Sequence, residues 1–157
     1  MHFEHLIEIN DPLNPLIESI SRQQLWQGLV LRAESPGLFM PHLDECTLAR
    51  KGDILERHLR FGQLVVFDRV SFEPLHKVLY EVPAQNEITQ SHLSMSIEEP
   101  LPGQLYVRFQ YADSQSPAQD GANEMYDEFR RSAYKEADID TIHIIREWAE
   151  QGRLNLC

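Results

Sequence analysis

One change in hydrophobic period governs what this chain can fold into. From Asp44 to Ala112 apolar residues recur at alternate positions, whereas from Asn123 to Gln151 they recur at helical spacing. The first stretch holds ECTLARKGDILERHLRFGQLVVFDRVSFEP, with breaks at Lys51-Gly52-Asp53 and Gly62-Gln63, then HKVLYEVPA, TQSHLSMSIEEP and GQLYVRFQYA, each bounded by turn residues. This predicts six strands joined as a meander, pairing antiparallel through short turns. Such a sheet has an apolar face to cover. The long amphipathic segment that follows has few places to go except across it.

The turn at Gly62-Gln63 fixes a register. Glycine at the first central position suits a two-residue type II′ turn. Phe61 then faces Leu64, Leu59 faces Val66, Arg57 faces Asp68 and Leu55 faces Val70; on the other face Arg60 meets Val65, His58 meets Phe67 and Glu56 meets Arg69. An opposite-charge pair falls on each face, and a slip of one residue would lose both.

The chain before Asp44 supplies the rest of the frame. HFEHLIEI alternates, with Phe3, His5, Ile7 and Ile9 on one side, and the turn-rich NDPLNP ends it as a strand. In SRQQLWQGLVLRAESPGLFMP, Ser21 and Gln24 form a capping-box pattern ahead of an apolar stripe of Leu25, Trp26, Leu29, Val30 and Ala33. Pro36 ends that helix by forcing Ser35 out of helical geometry. Leu38, Phe39 and Met40 then fit one tight turn at the mouth of the sheet. Ser114–Asn123 is polar and turn-rich and reads as a mobile loop. In the last segment Tyr126, Phe129, Ala133, Ala137, Ile144 and Trp148 share one helical face, with Arg130 at its centre, and Gly152 is a natural stop. Ile139 and Ile142 fall on the face expected to be wet, which leaves a kink near ADID or a homodimer interface open.

The order is strand, two short helical pieces, six strands, long helix. It predicts an α+β helix-grip: a curved seven-strand antiparallel sheet wrapped around a long C-terminal helix, as a single domain over residues 1–157. The chain resembles the START/Bet v 1-like (SRPBCC) superfamily of helix-grip proteins. More closely it is similar to the AtaL-like, PR-10-allergen-like family of unknown function, through HFEHLIEIND, LWQGLVLRAESP, FGQLVVFDRVSFEP, LSMSIEEP and RRSAYKEADIDTIHIIREWAEQGRL. The superfamily resemblance implies an apolar cavity between sheet and helix that binds lipids, sterols, polyketides or aromatic metabolites, with occasional cofactor-free catalysis. It carries over no catalytic residues.

Charge and motifs narrow the function classes. A net charge of −11 would be repelled by nucleic acid or an anionic membrane, so neither is expected as a partner. No apolar run approaches the ~20 residues of a membrane span. Cys46 and Cys157 make no disulfide framework, and a cytoplasmic setting is expected. There is no nucleotide-binding glycine loop, HExxH or GxSxG. His2, His5, His42, His58, His76, His92 and His143 are scattered, so no cofactor and no metal are expected.

The positive signal is polar residues on faces that should be apolar. Arg57 and Asp68 interrupt the inward face of the hairpin, either as a structural salt bridge or as a ligand anchor. Arg130 interrupts the helix stripe and either snorkels to solvent or points inward. The residues expected to contact a small hydrophobic molecule are Phe39 and Met40, Leu59 and Val66, Phe109 and Tyr111, and Tyr126, Phe129 and Ala133, with Arg57, Asp68 and Arg130 as polar anchors. The alternative is a cofactor-independent cyclase or dehydratase acting on a polyketide-like carbonyl compound. Asp68, His5 or Tyr126 would then be the acid–base candidates and Arg57 or Arg130 would polarise the carbonyl.

Overall fold

The computed structural model describes residues 1–114 and 124–154. The elements are β1 (His2–Asn10), α1 (Arg22–Glu34), a single 3-10 turn (Pro36–Leu38), β2 (Glu45–Lys51), β3 (Ile54–Phe61), β4 (Leu64–Glu73), β5 (Lys77–Val82), β6 (Ser91–Glu98), β7 (Leu105–Asp113) and α2 (Glu124–Glu150). The strands form one antiparallel sheet in the order β1-β7-β6-β5-β4-β3-β2. This is the helix-grip arrangement expected from the sequence.

The β3–β4 register is the one set by the turn, from Phe61↔Leu64 to Leu55↔Val70. Gly62 takes a φ of +64° while Gln63 does not turn positive, as a type II′ hairpin needs. The capping box also forms: Gln24 N–H donates to Ser21 Oγ, and the Ser21 N–H donates to Gln24 Oε1. β1 reaches α1 through a buried corner. There the Asn10 side chain donates to the Ile20 carbonyl at 2.6 Å and accepts from the Ile20 N–H at 3.0 Å. α1 then lies against α2 at Gly28, where an added Cβ would sit 2.5 Å from Ile145 Cγ2. Only a residue without a side chain permits that approach.

The inner face of the sheet is divided along its strands. Leu55, Val70, Val78, Met95 and Val107 pack with Leu25, Leu29, Ile142 and Ile145 into a solid core. Leu59, Val66, Val82, Leu93 and Tyr111, further along the same strands, instead line a cavity.

α2 corrects the sequence reading. Its buried positions are Asp127, Asp138, Thr141, Ile142, Ile145 and Ala149. Tyr126 and Phe129 are exposed, at 55% and 70%, and Ala133 and Ala137 also face out. The buried face is therefore displaced by one position, about 100° around the axis, because polar residues occupy much of it. Ile142 is buried while Ile139 is exposed, so the two isoleucines do not form one outward patch. Pro36 is buried and Leu38 exposed, and Phe39 packs on the core. Apart from Ser114, the predicted loop Ser114–Asn123 lies outside the described residues, as does Cys157. Cys46 is a free, half-buried thiol whose pKa is pushed up by burial. Among the described residues no helix is long and apolar enough to cross a membrane.

Candidate functional site

The cavity has a volume of about 230 Å³ and is partly open. Its apolar wall comes from β3 to β6 (Leu59, Phe61, Val66, Val82 and Leu93), with Met40 from the segment after the 3-10 turn. Those side chains face inward because alternate strand residues share a face. Three polar stations interrupt the wall.

The first station is the Arg57–Asp68 pair of β3 and β4. Arg57 Nε donates to Asp68 Oδ1 at 2.8 Å and Nη2 to Oδ2 at 2.7 Å, a bidentate geometry. Nη1 donates to the Ala33 carbonyl at 3.0 Å, which satisfies an end carbonyl of α1. Arg57 is 1% exposed and Asp68 3%. Burial works against the guanidinium's charge, but the Asp68 hydrogen bonds and charge prevail and hold the pKa of Arg57 above its ordinary value. Both Asp68 oxygens are thus occupied, as are all three Arg57 nitrogens.

The second station joins helix to sheet. The Tyr111 hydroxyl of β7 donates to Asp138, 2.8 Å from each carboxylate oxygen, and His5 Nε2 of β1 lies 2.7 Å from Oδ2. Burial pushes the Asp138 carboxyl up, against the opposing pull of the His5 and Tyr111 hydrogen bonds and the Arg32 charge. Burial, then the Asp138 charge, pushes the Tyr111 phenol up as well. The third station is Arg130 of α2, whose Nη2 donates to Asp113 Oδ2 at 2.9 Å and to the Tyr134 hydroxyl at 3.1 Å. Tyr134 stacks on Tyr111 with ring centroids 4.0 Å apart and planes 6° from parallel. The two stations are thereby continuous.

Of the residues named from sequence, Met40, Arg57, Leu59, Val66, Asp68, Tyr111 and Arg130 line this cavity together. Phe39 and Phe109 do not. Phe39 packs against the core, and Phe109 is wholly buried with its ring stacked on His5 at 5.3 Å. Tyr126, Phe129 and Ala133 lie on the outer face of α2, for the reason given above. Sequence reasoning passed over Arg32, Tyr80 and Asp138. Arg32 had a signal, since it falls seven residues after Leu25 on the buried stripe of α1. Tyr80 had one too, in phase with Val78 and Val82. Asp138 had none, because an acidic residue on a helix is ordinarily solvated.

The chain matches the family model AtaL, acetylaranotin biosynthesis cluster protein L, over residues 7–152. It belongs to the AtaL family. No curated protein matches it in sequence. Among solved structures it is similar to the di-domain ARO/CYC StfQ from the steffimycin biosynthetic pathway, with a TM-score of 0.69 and 10% identity over 96% of this chain and 50% of that one. The chain therefore spans half the length of StfQ. The Zhui aromatase/cyclase from Streptomyces sp. R1128 has a TM-score of 0.58 and 13% identity, covering 96% of this chain and 94% of that one. Ara h 8.0201 has a TM-score of 0.57 and 11% identity, covering 93% and 98%. At these identities the likeness shows the fold: this AtaL-family chain is a Bet v 1-like helix-grip protein.

Proposed function

We propose that this chain binds one small hydrophobic or aromatic molecule in the cavity between the sheet and α2. The observation that carries the reading is the cavity itself: about 230 Å³ of space bounded by apolar side chains in the position where a solid core ends. A dry cavity of about 150 Å³ suffices for benzene, so a substituted ring fits here. The apolar wall supplies the driving force and the polar stations supply orientation. The uncharged dye phenylnaphthylamine tests this. One dye is expected to bind per chain, and Val66→Trp, which extends an indole into the space, is expected to weaken it by about tenfold or more while the protein stays folded. No dye binding by the wild type, or unchanged binding by the folded variant, overturns the reading.

A second reading is favoured by one arrangement. Tyr111 meets the cavity, and behind it buried Asp138 and half-buried His5 form an acid–base array. With aromatase/cyclases among the similar folds, this supports a cofactor-independent cyclase or dehydratase acting on a polyketide-like carbonyl compound. Asp68 is less suited to acid–base work because Arg57 holds both its oxygens, and Tyr126 lies outside the site. The enzyme reading requires a bound carbonyl compound to change mass or ring count without added cofactor. Recovery of the compound unchanged would leave binding alone.

A further inference from the structure

Three arginines line the cavity, and two of them are occupied by neighbours. Arg57 is closed by Asp68 and the Ala33 carbonyl. Arg130 is held by Asp113 and Tyr134. Arg32, from the last turn of α1, differs: it is 9% exposed, and its Nε has no hydrogen-bond partner among the described residues. Its guanidinium carbon lies 5.1 Å from the centre of the Tyr80 ring, and that of Arg57 lies 5.0 Å from the same ring. Tyr80 is 4% exposed, and its hydroxyl is likewise buried without a partner among the described residues.

A buried donor without an acceptor is destabilising, and a buried cation more so. The Tyr80 ring and the carbonyl end of α1 offset part of this for Arg32. Neither accepts from the Nε–H. The anionic groups nearby are engaged elsewhere: Asp68 with Arg57, Asp113 with Arg130 and the Met1 amine, and Asp138 with His5 and Tyr111. Asp138 is close enough for its charge to be felt at Arg32, but its oxygens already accept from other groups. Two residues that line the cavity thus carry a guanidinium N–H and a phenol hydroxyl with no acceptor among the described residues.

We propose that the molecule held in this cavity carries an acidic oxygen group, a carboxylate or phenolate on an apolar or aromatic body, and that Arg32 and Tyr80 receive that group. The proposal rests on the reading that the cavity is a ligand site, and it adds the ligand's charge. Arg32 and Tyr80 then act as specificity-determining residues, because a guest without an acceptor oxygen leaves both donors unpaired and a neutral one leaves the guanidinium charge unmatched.

Matched probes separate the two ideas. Naphthoate, naphthol and uncharged methylnaphthalene are titrated into the wild type, Arg32→Met and Tyr80→Phe, each variant checked for folding by circular dichroism. The wild type is expected to prefer naphthoate to methylnaphthalene by about tenfold or more. Arg32→Met should lose about tenfold in naphthoate affinity and keep its methylnaphthalene affinity. Tyr80→Phe should lose a smaller factor, again for the acidic probe alone. Naphthoate should lose more than naphthol in Arg32→Met, since naphthol stays protonated at neutral pH; equal losses overturn the assignment of charge to the ligand. Equal affinity for charged and uncharged probes in the wild type and both variants overturns the proposal and leaves the binding reading standing. No binding of any probe by the wild type overturns both. If Arg32→Met does not fold, Tyr80→Phe decides: naphthoate binding at the wild-type level overturns the proposal.

Discussion

The two ends of the sheet's inner face differ in kind although the same strands build both. At one end Leu55, Val70, Val78, Met95 and Val107 meet α1 and the C-terminal half of α2, and the space is filled. At the other end Leu59, Val66, Val82 and Leu93 face a hollow, which the N-terminal half of α2 borders with Arg130 and Tyr134. Between them runs a band of polar and aromatic side chains: the buried Arg57, Asp68 and Tyr80, and buried Asp138 with the half-buried Tyr111 and His5. The difference teaches where the fold is packed solid and where it leaves space open. The packed end joins α2 to α1 at Gly28 and Ile145, and both helices to the sheet through the shared core. The hollow end can then leave space unfilled without losing the fold.

The largest expected effect breaks the packed end. Ile145 is 1% exposed and lies against the backbone of α1 at Gly28. Ile145→Ala should cost about 3 kcal/mol, since the lost methylenes leave a cavity that rigid backbone cannot close. Leu93 is partly buried and already borders open space. Leu93→Ala should cost about 1 kcal/mol, because less area returns to water and no closed void is made. Urea unfolding of the two variants checks the contrast. Equal losses would mean that the hollow is filled in solution.

A smaller effect sharpens the boundary between the ends. Asp138 is buried on α2 and meets His5 from β1 and Tyr111 from β7, with the Arg32 charge of α1 nearby. Burial raises its folded pKa, so between its unfolded and folded pKa the native state binds the proton more tightly than the unfolded chain. By linkage that contribution is full below the unfolded pKa and is lost as pH rises through the folded one. Wild-type stability should therefore fall relative to Asp138→Asn on raising pH from about 4. Unfolding curves at successive pH values test the sign, and a relative rise for the wild type would refute it.

The same division explains what could be foreseen. The β3–β4 register was legible because a two-residue glycine turn and a period of two leave one pairing that matches charge on both faces. The capping box was legible because it is local. The phase of α2 was not legible from apolar periodicity, since its inner face carries Asp127, Asp138 and Thr141. Asp138 is inside because His5 and Tyr111 meet it there, and Asp127 lies 3.8 Å from Arg130. A count of apolar residues rotates the helix toward Tyr126 and Phe129 instead. Arg32 and Tyr80 sit in phase with core positions, yet that Arg32 Nε and the Tyr80 hydroxyl find no acceptor among the described residues is a fact of three dimensions.

The smallest expected effect concerns the outer face of α2, where Met125, Tyr126 and Phe129 are exposed. Phe129 is an instructive residue because helical periodicity assigns it to the ligand and the structure assigns it to solvent. At 70% exposure it has little burial to lose, so Phe129→Ser should change stability by no more than about 0.5 kcal/mol. It should leave naphthoate and phenylnaphthylamine binding at wild-type levels, because its side chain does not line the cavity. A loss of ligand affinity would turn α2 back toward the phase that apolar periodicity predicts, and with it the boundary between the filled and hollow ends. A fall in solution mass by half, measured by light scattering, would instead make this apolar face the contact between two copies of the chain. Unchanged binding and unchanged mass leave ligand contact, as proposed, with the inner wall that Arg32 and Tyr80 line.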